Sequence, residues 1–175
     1  MSQELDFYDP TGEIEDAAGG PELVIEREFH QGPSVIWGYL TDTKDLGRWH
    51  GEWSKEADSP EGHPCYLVDH VGRTKDVHIE VTEKVKPEYL RFEVSFANRP
   101  DAWMDLRLTD TPEGSELELR HGLAGLEDRA EFIGPLWEFL LDRLMAAVSG
   151  DDPDILEWES YYPNQAEYYT LESNQ

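Results

Sequence analysis

The chain has 175 residues, of which 38% are hydrophobic and six are Trp, enough for one domain with a substantial apolar core. Its formal net charge of −25 argues against nucleic acid and anionic membranes as partners, because both carry charge of the same sign. The single cysteine, Cys65, excludes an internal disulfide and a cysteine-based zinc cluster.

The amino-terminal sequence MSQELDFYDP has neither a basic nor an apolar region, so we expect no secretory signal. No uncharged apolar run approaches the length of about 18 residues that a membrane-spanning helix needs. With the lone cysteine, these features predict a cytoplasmic protein that does not insert into membranes.

Residues 1–22 are acidic and lack hydrophobic periodicity, which predicts a flexible leader. Leu23–Phe29 then alternates apolar and charged residues, as expected of a half-buried strand. Apolar residues at helical spacing predict a short helix over Val35–Leu40. A second short helix should follow Asp42, which can act as its N-cap, and run toward Trp49.

From residue 52 to residue 122 the hydrophobic pattern has period two, and clusters of Gly, Pro, Asn and Asp interrupt it. Links this short join antiparallel strands. The candidate strands are Glu52–Asp58, Cys65–Val71, Lys75–Lys84, Tyr89–Phe96, Ala102–Thr109 and Ser115–Gly122. Alternation puts the following residues on one face: Val77, Ile79, Val81, Leu90, Phe92, Val94, Phe96, Met104, Leu106, Leu108, Leu117 and Leu119.

A long helix is predicted over Gly134–Val148, with Pro135 in its first turn and Gly150 suited to a left-handed C-cap. Its apolar stripe is formed by Ile133, Trp137, Leu140, Leu141, Leu144 and Val148. The opposite face carries Glu138, Asp142 and Arg143. Such a stripe needs a large apolar partner, which the single apolar face of the strands provides.

Residues 151–175 form an acidic tail that contains Trp158 and four tyrosines and has no sustained period. This composition predicts a largely disordered segment. The alternative is that its aromatic side chains lie on the domain or on a partner.

Together these elements predict an α+β fold. A curved antiparallel sheet of about six or seven strands wraps around the long C-terminal helix, and two short helices follow the first strand. The domain would span residues 23–150. The space between the sheet and the long helix is the predicted functional site.

Several ordered motifs carry a resemblance to a known family. They are the strand Glu26-Arg27-Glu28-Phe29, the helix from Ile36 to Asp42, the segment Leu46 to Trp49, the hairpin Leu108 to His121, and Gly134 before the last helix. These segments resemble the START-like (SRPBCC) helix-grip superfamily. More narrowly, they are similar to the homologues of the heat-shock chaperone ATPase activator.

The resemblance implies a cavity between the sheet and the helix that commonly holds lipid-like, isoprenoid or polyketide-like molecules. Members of the superfamily include non-enzymatic carriers, chaperone-activator homologues and a few cyclases. The fold therefore leaves the activity open.

The candidate ligand-binding residues face the predicted space. His121 follows Leu119 by an even step, so it points to the apolar side, where it could position a ligand carbonyl or act as a base. Trp49 and Trp137 are candidate ligand contacts or core residues, and Trp103 is expected to face outward. The remaining candidates are Phe92, Val94, Phe96, Met104, Leu106, Leu136, Leu140 and Leu144. Alternatively, these side chains fill the space and leave no pocket.

The sequence predicts no metal site and no cofactor. His63-Pro64-Cys65 lacks a second ligand pair at zinc-like spacing, and His70 and His78 fall on the polar face of the strands. The sequence has no nucleophile motif and no phosphate-binding loop, and spacing flags no carboxylate pair as an acid–base pair, so no residue is assigned as catalytic.

We therefore expect, first, non-enzymatic binding of a small hydrophobic molecule between the sheet and the long helix. The second hypothesis is a stress-related interaction module that, like a co-chaperone, docks on a chaperone ATPase. The third is a cyclase-type enzyme, for which His121 is the one named residue.

Overall fold

The structure is a computed structural model that describes residues 9–42, 48–49, 77–96 and 102–170, with the backbone alone for residues 77–80 and 94–96. The predicted strands Glu52–Asp58 and Cys65–Val71 lie outside the described residues. So does most of the second short helix, of which Arg48 and Trp49 are described.

Six strands of the described chain form one antiparallel sheet in the order β1-β2-β6-β5-β4-β3. Sequential hairpins build each half of this sheet, and β2 joins them by pairing with β6. The strands are β1 (Glu13–Ala17), β2 (Gly20–Phe29), β3 (Val77–Val85), β4 (Tyr89–Phe96), β5 (Ala102–Thr111) and β6 (Gly114–Gly122).

The register confirms the predicted division of the strands into two faces. Leu106 of β5 lies opposite Leu90 on one side and Leu119 on the other. All three residues are buried, whereas Arg107, next to Leu106 in the chain, is exposed. One face of the sheet therefore contributes to the core, and the other carries mostly polar residues.

Two helices cover the apolar face. Helix α1 (Pro33–Thr41) confirms the predicted short helix, and helix α2 (Ala130–Val148) is the long one. Because Ala130 and Ile133 are buried, α2 starts a turn earlier than predicted, and Pro135 lies inside it. Proline cannot donate a backbone hydrogen bond, and the free energy gained by burying this extra turn offsets that loss. The predicted α+β helix-grip architecture is confirmed.

The carboxyl end of α2 follows the sequence prediction. Gly150 adopts φ +86, the left-handed conformation that glycine tolerates best. The amide of Gly150 donates to the carbonyl oxygen of Ala147 at 3.1 Å, and the amide of Asp151 donates to that of Ala146 at 2.8 Å. These bonds use carbonyls that the helix leaves without an internal partner.

Regular structure occurs in the described residues on both sides of the predicted domain, in 9–22 and 151–170. Residues 13–17 form β1 because their backbone pairs with β2, an interaction that needs no side-chain periodicity. The tail packs on α2 through two 3₁₀ turns, Pro153–Ile155 and Trp158–Ser160, and a four-residue helix α3, Ala166–Tyr169. Within the described part of the tail, Trp158, Tyr161 and Tyr169 pack against the core.

Among the described residues, no helix combines the length and the hydropathy needed to cross a membrane.

Candidate ligand-binding site

The apolar face of the sheet is built from rows of residues that lie opposite one another on neighbouring strands. One row runs from Leu23 on β2 through His121 on β6 and Met104 on β5 to Phe92 on β4. The row below it consists of Ile25, Leu119, Leu106 and Leu90. All eight residues are buried, so His121 is a polar group within an apolar surface.

His121 has a defined orientation. Its side chain is 1% exposed, and its Nδ1 lies 2.8 Å from the carbonyl oxygen of Gly122. Burial lowers the pKa of His121 to about 4, against a smaller raising effect of the hydrogen bond to Gly122. The imidazole is therefore neutral at physiological pH.

Helix α2 provides the surface opposite the sheet. Leu136, Trp137, Leu140 and Leu144 are buried and belong to one continuous core with the sheet residues. Trp49 joins this core, and its indole Nε1 donates to the carbonyl oxygen of Tyr39 on α1 at 2.9 Å. The site is thus bounded by the sheet, by α2 and by the segment that carries Trp49.

The structure brings nine of the predicted site residues into this core: Trp49, Phe92, Met104, Leu106, His121, Leu136, Trp137, Leu140 and Leu144. For Val94 and Phe96 only the backbone is described, and it pairs with that of Ala102 and Val77 respectively. Whether the nine enclose a pocket or fill the space stays a prediction. Trp103 is half-buried on the other face, where Arg91 lies 4.7 Å from its ring.

A buried carboxylate network lies beside the site, and sequence reasoning missed it. This carboxylate network consists of Arg27, Glu138, Asp142, Tyr161 and Tyr169. From β2, Arg27 Nη2 donates to Glu138 Oε1 at 2.9 Å and to Asp142 Oδ1 at 3.0 Å. The exposed fractions of the two carboxylate residues are 1% and 5%, so the face of α2 opposite its apolar stripe is covered.

Segments before β1 and after α2 complete the carboxylate network. The amides of Thr11 and Gly12 donate to Glu138 Oε2 at 2.7 and 3.0 Å. From the tail, the Tyr161 hydroxyl donates to Asp142 Oδ2 at 2.8 Å, and the Tyr169 hydroxyl donates to Glu138. The Thr11 hydroxyl donates to Glu138 Oε1 at 3.0 Å, so five donors outside α2, besides Arg27, bond to the two buried carboxylates.

The carboxylate network contains two carboxylates and one guanidinium. Burial and the charges of these groups together shift the pKa values of its members. Burial raises the pKa of Asp142 to about 6, although Arg27 and the Tyr161 hydroxyl both act to lower it. Burial acts to lower the pKa of Arg27, but the charges of Asp142 and Glu138 outweigh it and raise that pKa. Burial, followed by the charge of Glu138, raises the pKa of Tyr169 above its ordinary value.

One sequence signal could have revealed this network. Arg27 has the same parity on β2 as the buried Leu23, Ile25 and Phe29, so alternation places a charged side chain among core residues. A buried charge requires a partner. Glu138 and Asp142 are spaced four residues apart, as two groups on one face of a helix are.

The chain also matches a known family. Residues 31–149 match the family described as "Activator of Hsp90 ATPase homolog 1-like protein". The matched range takes in α1, four of the six described strands and all of α2. It amounts to more than half of the 175 residues. The chain belongs to this family. Hereafter we call it the activator-homolog family.

Solved structures agree with this assignment at the level of the fold. CalU16 from Micromonospora echinospora is 20% identical, with a TM-score of 0.69 and coverage of 92% of this chain and 94% of that one. EF2215 from Enterococcus faecalis, a conserved protein of unknown function, is 18% identical, with a TM-score of 0.66 and coverage of 97% of this chain and 95% of that one. DynU16, a protein of the dynemicin biosynthetic locus, is 19% identical, with a TM-score of 0.60 and coverage of 75% and 49%. At these identities the likeness shows the START-like fold alone.

A comparison with curated proteins finds no match.

The range that matches the activator-homolog family contains the whole predicted site but only part of the carboxylate network. Every predicted site residue lies within residues 31–149. Arg27, Tyr161 and Tyr169 lie outside that range, whereas Glu138 and Asp142 lie inside it. The carboxylate network therefore joins the matched core of the activator-homolog family to segments of this chain that the match does not include.

Two surface clefts occur at the end of the sheet where β5 turns into β6. One, of about 510 Å³, is lined by Pro33, Ser34, Pro87, Glu88, Arg107, Leu108, Thr109 and Asp110. The other, of about 320 Å³, is lined by Glu28, Phe29, His30, Thr111, Glu113, Ser115 and Glu116. Neither cleft includes a predicted site residue. In the part of the chain that the structure describes, no group of three or more His, Cys, Asp or Glu residues is arranged to hold a metal ion.

Proposed function

We propose that this protein binds a small hydrophobic molecule, of lipid, isoprenoid or polyketide type, between the concave face of the sheet and helix α2, and that it does so without catalysing a reaction. The observation that supports the proposal is the row Leu23, His121, Met104 and Phe92. It presents one neutral, oriented polar group within an otherwise apolar surface. Ligand sites of this kind combine apolar walls with a few polar groups that fix orientation.

The fold neighbours are consistent with this proposal. DynU16 belongs to a biosynthetic locus for dynemicin, and it shares the fold of this chain. The proposed function therefore includes binding a hydrophobic molecule during the biosynthesis of a natural product.

Native mass spectrometry of the freshly purified chain, compared with its denatured mass, tests the proposal. We expect a discrete extra mass of a few hundred daltons that disappears on denaturation. If no extra mass is found, a thermal-shift panel of fatty acids, isoprenoids and aromatic polyketides is the second measurement, since a ligand that binds the native state raises the melting temperature. Failure of both measurements would contradict the proposal.

A pair of variants locates the binding in this site. Met104→Ala enlarges the inward surface of β5, whereas Arg107→Ala changes an exposed residue on the other face of the same strand. We expect Met104→Ala to change which panel members give a shift, measured against the variant's own melting temperature. Arg107→Ala should leave the ligand profile of the wild type unchanged. Identical profiles for both variants would place the binding elsewhere.

A second candidate function is docking on a chaperone ATPase, which the description of the matched family favours. The outer face of the sheet carries acidic residues directly opposite one another, Glu26 with Glu118 and Glu28 with Glu116. Like charges in such positions destabilise a sheet unless they are offset elsewhere. Burial, and then the charges of Glu116 and Glu118, raise the pKa of Glu26. A basic surface on a partner would relieve this repulsion.

The second candidate is tested with a purified Hsp90-type ATPase. We expect binding and stimulated ATP hydrolysis that both weaken as salt is raised, because the contact is electrostatic. A variant with Gln at positions 26, 28, 116 and 118 should lose the interaction while keeping its fold. Binding that is equally strong in the variant would contradict this candidate.

A further inference from the structure

The polar group of the proposed site can contact a ligand through one atom only. His121 lies between Leu23 and Met104 in the sheet register, and its Nδ1 is engaged with the carbonyl oxygen of Gly122 at 2.8 Å. Any ligand contact of the imidazole by hydrogen bonding is therefore made through Nε2.

The bond to Gly122 also fixes the tautomer of the ring. A carbonyl oxygen only accepts hydrogen bonds, so Nδ1 must carry the proton and donate it. In a neutral imidazole the other nitrogen then has a lone pair and no hydrogen. Nε2 of His121 is thus a hydrogen-bond acceptor directed by a backbone contact.

The charge state of the ring preserves this role. Burial lowers the pKa of His121 to about 4. At pH 7 the protonated ring is therefore disfavoured by about a thousandfold relative to the neutral ring. The imidazole offers neither a positive charge to a carboxylate nor an N–H to a ligand carbonyl. The sequence suggested that His121 could position a ligand carbonyl. With this tautomer, Nε2 instead accepts a hydrogen bond from the ligand.

We propose that His121 selects hydrophobic ligands that carry an uncharged hydroxyl group, an alcohol or a phenol, whose O–H donates to Nε2. This inference rests on the proposed function, because it names the ligand class of the same site. It favours hydroxylated polyketides and isoprenoid alcohols over fatty-acid carboxylates, since the lone pair of Nε2 repels an anionic oxygen. Keto or ether analogues of the same shape lose the hydrogen bond, because they have no proton to donate.

Three naphthalene probes test the inference by isothermal titration calorimetry at pH 7. They are 2-naphthol, which donates; 2-methoxynaphthalene, which does not; and 2-naphthoate, which is anionic. We expect 2-naphthol to bind about three- to tenfold more tightly than 2-methoxynaphthalene, the usual net effect of one neutral hydrogen bond, and 2-naphthoate to bind most weakly.

The variant His121→Leu should bind 2-naphthol and 2-methoxynaphthalene equally. The matched control is Leu117→Val, an inward position two rows away on the same strand, which should keep the wild-type ratio. Equal binding of both probes by the wild type, or the same ratio in His121→Leu, would overturn the inference and leave the hydrophobic site standing. Binding of no probe would count against the proposed function itself.

A second measurement needs no variant. In the ¹⁵N spectrum of histidine-labelled wild-type protein, Nε2 of His121 should give the signal of an unprotonated ring nitrogen. Addition of 2-naphthol should move this signal, and addition of 2-methoxynaphthalene should leave it nearly unchanged. A protonated Nε2 in the free protein would overturn the inference whatever the affinities are.

Discussion

The replacement of Gly134 by alanine tests whether the tail is fixed on α2. Gly134 is in the second turn of α2, and the ring of Tyr169 lies directly over it. A Cβ atom added there would overlap with Cγ and Cδ2 of Tyr169 and lie 2.7 Å from Cδ1. The alanine and the tyrosine ring therefore cannot occupy their positions together, and a fully buried side chain must move.

Two opposing contributions determine the size of the effect. If the ring leaves its site, the loss resembles the removal of a buried aromatic side chain, about 3–5 kcal/mol. Alanine in place of a helical glycine restores about 1 kcal/mol of backbone propensity. We expect Gly134→Ala to lower the free energy of unfolding by about 2–4 kcal/mol, since the first contribution is larger. In a Tyr169→Ala background the overlap is absent, so the same change should stabilise the protein by about 1 kcal/mol.

Urea denaturation followed by circular dichroism, on the four proteins of this double-mutant cycle, measures both numbers. The control is Gly38→Ala in α1, where an added Cβ meets no atom within 4 Å among the described residues. It should stabilise both backgrounds by about 0.5–1 kcal/mol. If Gly134→Ala also stabilised both backgrounds equally, Tyr169 would not lie on α2, and the tail would not be part of the folded domain.

Three further outcomes follow from the buried groups. Tyr161→Phe should lower the free energy of unfolding by about 1–2 kcal/mol in urea denaturation, because it removes the donor to Asp142, and an unchanged value would mean that this bond does not form. Arg27→Met should cost about 3–5 kcal/mol by leaving two buried carboxylates unpaired, and the loss should shrink when both carboxylates are also changed to amides. Asp142 has a pKa of about 6 in the native state and 3.8 in the unfolded state. The native state therefore binds the proton first, so protonation of Asp142 stabilises the protein as pH falls from 6 to 4. His121, with a pKa of about 4 against 6.5, destabilises it over the same window, because the unfolded state binds the proton first. Between pH 7 and 4.5, Asp142→Asn should therefore lose stability more steeply than the wild type and His121→Leu less steeply; parallel profiles would contradict both assignments.

The fold was accessible from the sequence because its decisive signals are local. Alternation along the strands assigned inward positions such as Leu106 and Leu119, and the register confirms them. The spacing of apolar residues located α2, and Gly150 marked its end. Each of these patterns spans a few residues and has one structural solution.

The surroundings of the site were harder to predict because they depend on contacts between distant parts of the chain. Glu138 and Asp142 are charged, so helical periodicity alone places them away from the core. Their burial follows from donors that lie more than a hundred residues earlier, in Thr11, Gly12 and Arg27. Since no pattern within a helix records such partners, only the inward parity of Arg27 hinted at them.

The meeting of two distant segments at Glu138 bears on how this protein folds during synthesis. Thr11 and Gly12 leave the ribosome before α2 and Tyr169 leaves after it, and Gly12 and Tyr169 are 157 positions apart in a direct hydrogen bond. The sheet and α2 can therefore associate before Tyr169 has been made, but Glu138 then lacks the hydroxyl donor that Tyr169 supplies. A chain that stopped between α2 and Tyr169 would contain the whole matched range and would leave this carboxylate without one of its donors. The partners of Glu138 are thus complete only after the matched range has been synthesised.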